Sequence, residues 1–168
     1  MIFSVIIRCK NEDQWIGHSI QSVIDILPIH TEIIIIDNNS NDDSKNIINM
    51  FINEKTNDIT LKYFNIDNYS PGKAINLGVK NCSYENIMIL SSHCVLTKIN
   101  LNKIENLLQE NVAIWGKQIP IYKGKKINRK RYIWKNFEDK DNINYYSDGE
   151  DRYFLHNALS IYKKSILE

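Results

Sequence analysis

Four consecutive isoleucines, Ile33 to Ile36, stand between Glu32 and Asp37. A strand with one wet face would alternate apolar and polar residues; this run does not, so both of its faces must be covered. Phe3 to Ile7 has the same short, apolar, β-branched character. Between the two runs Trp15, Ile16, Ile20, Val23, Ile24 and Leu27 recur at helical spacing until Pro28 ends the pattern. These pieces predict a β-α-β unit.

The alternation continues down the chain. A helical pattern runs through Ile47, Ile48, Phe51 and Ile52, then a strand at Leu61 to Phe64 and a helix at Ala74 to Val79. A strand at Ile87 to Leu90, a helix at Leu101 to Leu108 and a strand at Val112 to Trp115 follow. This order predicts an α/β fold, a mostly parallel sheet with helices on both faces. A chain of 168 residues fits one such domain. The pattern breaks at Tyr122, where 123–135 is densely basic with Tyr132 and Trp134 interleaved, and 138–151 is acidic. Tyr153 to Ile161 reads as a strand and Lys163 to Leu167 as a last turn of helix.

Composition narrows the partners. A net charge of +1 gives no global attraction to nucleic acid or anionic lipid, and no nucleic-acid motif accompanies the basic segment. That segment reads first as a solvated loop, next as a contact for an anionic acceptor such as a lipid-diphosphate sugar, and last as a single-strand binder. Met1 to Cys9 lacks the basic flank and cleavage site of a signal peptide, and no run approaches the roughly 20 apolar residues that span a bilayer. Cys9, Cys82 and Cys94 lack the paired spacing of a zinc site or disulfide framework. A reduced, cytoplasmic setting is expected, and it is compatible with peripheral contact at the inner face of a membrane.

Ligands of open parallel sheets bind beyond the carboxyl ends of the strands, so the polar residues after each run are the ones to inspect. They are Arg8 to Glu12, Asp37 to Asp42, Tyr69 to Lys73, and Ser91 to His93, and all four clusters are expected on one edge. None has the glycine pattern of a dinucleotide fold or a phosphate loop. Taken singly, Asp37 to Asp42 and Asn11-Glu12 fit ordinary turns and helix caps, and Lys73 a solvated surface lysine.

As a set, segments 4–12 (SVIIRCKNE), 33–42 (IIIIDNNSND) and 72–78 (GKAINLG) resemble the successive nucleotide-binding segments of family 2 glycosyltransferases, in order and spacing. The resemblance implies a Rossmann-like GT-A fold, a nucleoside-diphosphate sugar donor, a saccharide or lipid-linked saccharide acceptor, and inversion at the anomeric carbon during surface or capsular polysaccharide synthesis. It places Arg8, Asn11, Glu12, Asp37, Asn39, Lys73 and Asn76 at the nucleotide. In that frame Asp37 accepts the imide N–H of a pyrimidine base, and Asn11 caps the first helix beside the base and ribose. Lys73 brings a cation to the base or diphosphate, and Asn76 faces the same pocket one turn on. The same resemblance also admits a module that binds nucleotide sugar without transferring it.

Two features depart from the family. Where it normally carries an Asp-x-Asp pair for a divalent cation, this chain has Ser91, Ser92 and His93. Magnesium or manganese is therefore expected to be weakly bound or dispensable; His93 either ligates manganese or, protonated, donates to a phosphate oxygen. The family's carboxylate general base would follow the segment resembling 154–167, where the sequence stops. That predicts truncation on the acceptor side, with Asp148, Glu150 and Asp151 as the weaker alternative for the base.

Overall fold

A computed structural model describes residues 1–54, 59–126, 142–147, 151–153 and 155–168. Its strands are β1 (Phe3–Cys9), β2 (Glu32–Asp37), β3 (Thr60–Asn65), β4 (Asn86–Ser91), β5 (Ala113–Trp115), β6 (Ile121–Tyr122), β7 (Lys125–Lys126), β8 (Tyr146–Ser147), β9 (Arg152–Tyr153) and β10 (Leu159–Lys163). Its helices are α1 (Ile16–Ile26), α2 (Ser44–Glu54), α3 (Pro71–Lys80), α4 (Leu101–Glu110) and α5 (Lys164–Leu167). Six strands form one sheet in the order β3-β2-β1-β4-β10-β5. The first four are parallel, and β10 enters antiparallel between β4 and β5.

The isoleucine run explains the layering. Alternate side chains of a strand point to opposite faces. Ile33 and Ile35 join Phe3, Val5 and Ile7 in a core with α1, α2 and α4, while Ile34 and Ile36 join Ile6 in a second core with Ala74 and Val79 of α3. All six residues of β2 are buried. On the second face α3 rides close to β1, since a Cβ added to Gly78 would lie 2.7 Å from Cγ2 of Ile6.

A buried carboxylate fixes the amino edge of the sheet. Glu32 accepts hydrogen bonds from Ser4 Oγ (2.5 Å), Lys62 Nζ (2.8 Å), Ser83 Oγ (3.0 Å) and the Ser83 amide, joining β1, β2, β3 and the start of the α3–β4 connection.

Three expectations need correction. Trp15 does not belong to the buried stripe of α1; it precedes the helix and is 48% exposed, because the 12–13 turn is bound sideways to Ser44 and Asp42 and the helix begins only after it. Asn11 is not the cap of α1 either: its side chain accepts from the Asn41 amide (2.9 Å). The run from Tyr153 to Ile161 is not one strand. Tyr153 pairs in a hairpin with Tyr146, and β10 starts only at Leu159, after Asn157 has turned its carbonyl to Ser91 Oγ (3.2 Å).

Burial works to raise the Glu32 pKa, but hydrogen bonds from Lys62, Ser4 and Ser83 outweigh it and hold the carboxyl below its ordinary value. A depressed carboxylate stabilises the fold above its unfolded pKa of about 4.3 and loses that contribution as pH falls through the folded value. Glu32→Gln is therefore expected to cost about 2–3 kcal/mol near neutral pH, within the range for hydrogen bonds to charged groups. In urea titrations from pH 7 to pH 3 the gap between the two proteins should shrink below about pH 5. A gap independent of pH would remove Glu32 from this role.

Candidate functional site

Parallel pairing brings the four predicted clusters to one edge. Cys9 lies opposite Asp37, Asp37 opposite Asn65, and Arg8 opposite Ser91. Strand order reverses between β1 and β4, which is the position of the ligand crevice in open α/β sheets.

Asp37 organises this edge. It is 1% exposed. Its Oδ1 accepts from Ser40 Oγ, and its Oδ2 from the Ser40 amide (3.0 Å) and Tyr63 Oη (2.9 Å). A carboxylate offers about four acceptor positions, so one remains on Oδ1. Burial, then the bond to Asp37, raises the Tyr63 pKa, which keeps the phenol protonated as a donor. Burial and the same carboxylate push the Cys9 thiol up to about 11, so Cys9 is a protonated apolar neighbour and no nucleophile.

From Ser40 the network crosses to the first turn. Ser40 Oγ accepts from the Asn11 amide (2.8 Å) while Asn11 Oδ1 accepts from the Asn41 amide. Ser44 Oγ receives the Glu12 amide (2.9 Å), and Asp42 receives the Asp13 amide (3.0 Å) and its own helix's Ser44 amide (3.1 Å). Lys10 Nζ donates to the carbonyls of Asn38 and Asn39, each at 2.8 Å. Asn11 and Asn39 hold φ of 51° and 50°, a left-handed conformation that asparagine tolerates better than other non-glycine residues. Asn39 Nδ2 then reaches the Ile66 carbonyl (3.3 Å) and Asp67 (3.2 Å) in the turn after β3.

Lys73 is exposed on the first turn of α3, its amide capped by Ser70 Oγ (3.2 Å) and its Nζ 3.5 Å from the Asn68 carbonyl. Asn76 lies elsewhere, in a groove lined with Val79, Lys80, Leu167 and Glu168 between α3 and α5. Sequence reasoning missed Tyr63, Asn65 and Asp67. Their place follows from the parallel register of β3 on β2, which sets Asn65 beside Asp37.

After β4, Ser91 Oγ donates to the Asn157 carbonyl, Ser92 is buried, and His93 is exposed with Nδ1 3.2 Å from Glu12 Oε1. Asp148 and Glu150 lie outside the described residues. Asp151 sits in the separate β8–β9 hairpin, bonded to Tyr146.

The description "Glycosyl transferase family 2" matches residues 4–168. The chain belongs to that family. A poly-beta-1,6-N-acetyl-D-glucosamine synthase of Staphylococcus epidermidis is 32% identical over 94 residues, which are 55% of this chain and 22% of that protein. The chain spans less than a quarter of the curated relatives it matches. In fold it is similar to S. aureus TarS 1-349 in complex with UDP, with a TM-score of 0.62, 19% identity, and coverage of 98% of this chain and 47% of that one. It is also similar to a mannosyltransferase from Pyrobaculum calidifontis in complex with GDP-Man and Mn2+ (TM-score 0.51, 18% identity, 55% and 28% covered). These likenesses make the fold that of GT-A glycosyltransferases.

The residues present do not fit a magnesium centre of the family's Asp-x-Asp kind. The β4 turn offers no carboxylate, its Ser91 hydroxyl is committed to a carbonyl, and Glu12 is turned onto the His93 ring. Among the described residues no three His, Cys, Asp or Glu side chains are grouped as ligands. Nor is any described helix long and apolar enough to cross a membrane.

Asp37→Asn puts an amide N–H₂ against the Ser40 and Tyr63 donors and is expected to cost about 1.5–3 kcal/mol of stability in denaturant unfolding. Tyr63→Phe removes one donor only and should cost about 1 kcal/mol. Equal midpoints for Asp37→Asn and the parent would show that this network does not hold the turns.

Proposed function

We propose that this chain carries the donor site of a sugar transferase and binds a nucleoside-diphosphate sugar across the carboxyl ends of β1, β2 and β4. The observation that carries the reading is the meeting of the first two turns at Asp37, through Ser40 and Asn11, beside the reversal of strand order. Family membership makes a nucleotide sugar the substrate class this edge would take.

The base would lie against the Asn11 and Asn39 turns, with the open position on Asp37 Oδ1 accepting an imide N–H as the turn admits it. A buried acceptor left unpaired by the wrong base discriminates strongly, because its desolvation is then uncompensated. Lys73, exposed on the first turn of α3, would reach toward base or diphosphate. The acceptor would be a growing saccharide or a lipid-linked saccharide, with inversion at the anomeric carbon, in the making of a surface polysaccharide. The polymer synthase among its relatives supports that choice.

A thermal-shift panel of UDP, dTDP, GDP and CMP sugars tests the reading. Ligand at 100 times its dissociation constant stabilises a fold by about 2.7 kcal/mol, so a specific donor should raise the unfolding midpoint by several degrees. Uridine and thymidine donors should lead if Asp37 reads the base. No shift with any donor at millimolar concentration would contradict the proposal.

A further inference from the structure

We propose that Arg8 is the cation that receives the donor's diphosphate, in the place where the family uses a divalent metal. The proposal rests on the nucleotide reading above and names the group that neutralises the ligand's charge. Four observations lead to it.

The first is position. Arg8 is the penultimate residue of β1, between Ile36 of β2 and Ser91 of β4 in register, at the reversal of strand order. The second is direction. Alternation puts Arg8 on the face of Ser4 and Ile6, beneath α3. Ile6 packs on Gly78, and Ser83, beyond the end of α3, reaches Glu32 beside Ser4. Arg8 therefore lies toward the opposite end of α3, where the helix begins at Pro71.

The third is an unmet donor. Arg8 Nε is buried and has no hydrogen-bond partner in the protein. A buried N–H without an acceptor is costly, more so on a charged group. Among the described residues the other two buried side-chain polar atoms without partners, Ser19 Oγ and Thr31 Oγ1, are neutral hydroxyls, one within α1 and the other just before β2. Among the acids of the carboxyl edge, Asp37 alternates onto the opposite face with Ile33 and Ile35 and is met by Ser40 and Tyr63, and Glu12 is turned onto His93. Guanidinium presents Nε and one Nη as a fork matched to two phosphate oxygens, so a diphosphate is the kind of acceptor that would satisfy it.

The fourth is the misfit of the metal site. With neutral Ser91 and Ser92 at the end of β4, that turn offers a divalent ion no anionic oxygen of its own to offset lost hydration, and the carboxylate beside it, Glu12, is turned onto His93. A guanidinium one strand away meets the same electrostatic need without a metal.

Calorimetric titration of UDP, GDP, uridine, guanosine and inorganic pyrophosphate tests this, each with magnesium, manganese or chelator, against the parent, Arg8→Gln and Arg8→Lys. Thermal midpoints of the variants report whether they remain folded. The parent should bind one nucleoside diphosphate with an affinity that changes less than threefold between magnesium and chelator. Arg8→Gln should lose at least tenfold for that diphosphate and for pyrophosphate while holding the nucleoside unchanged. Arg8→Lys, which keeps charge without the fork, should fall between. Equal losses for nucleoside and diphosphate, no loss at all, or a tenfold gain from either metal in the parent would overturn the assignment. Arg8-dependent pyrophosphate binding without binding of either nucleotide would keep Arg8 as an anion site and sink the nucleotide reading. Nucleotide binding indifferent to Arg8→Gln would do the reverse, and absence of all binding would overturn both.

Discussion

The carboxylate of Asp37 is the constraint on which the carboxyl edge depends. Strand β2 carries four isoleucines between two acids, and both acids are buried with it. A buried carboxylate must be met by donors, so each end of the strand draws its surroundings into a defined shape. Glu32 gathers β1, β3 and the segment after α3 at one edge, and Asp37 gathers Ser40, Tyr63 and, through Ser40, Asn11 at the other. The isoleucines hold the strand in the middle of the sheet, and the acids fix what is attached to its ends.

This division of labour accounts for first and second turns built without glycine. Turns that approach a ligand usually rely on glycine for unusual dihedrals. Here Asn11 and Asn39 take left-handed conformations, and the interlocked amides of 11–13 and 40–44 hold them. A preorganised edge of this kind binds with less loss of freedom than a loose one. Around the Asp37 carboxylate it presents backbone and amide groups, with Arg8, Lys10 and Lys73 as its cations.

Much of the fold was legible because the sheet is buried on both faces and its helices are amphipathic. The isoleucine run, the helical spacing before Pro28 and the later alternation reproduced the order of β1 to β4 and α1 to α4. The antiparallel entry of β10 was not legible, since strand direction leaves no mark on five mostly buried residues. The positions after each strand do lie together at one edge, but side-chain partners depend on register. That is why Asn11 passed for a helix cap, Trp15 for a core residue and Tyr63 for nothing in particular. Asn76 was placed by the family resemblance and by helical spacing from Lys73, whereas the groove it lines is shared with α5 near the end of the chain.

The central claim is that nucleotide binds at the edge organised by Asp37. Amide hydrogen exchange read by mass spectrometry, with and without saturating UDP or GDP, tests it most directly. The account predicts slowed exchange in 8–14, 37–44, 65–74 and 91–96, with the amino edge around Glu32 and Ser83 unchanged. Protection confined to the groove between α3 and α5, or to the amino edge, would contradict it.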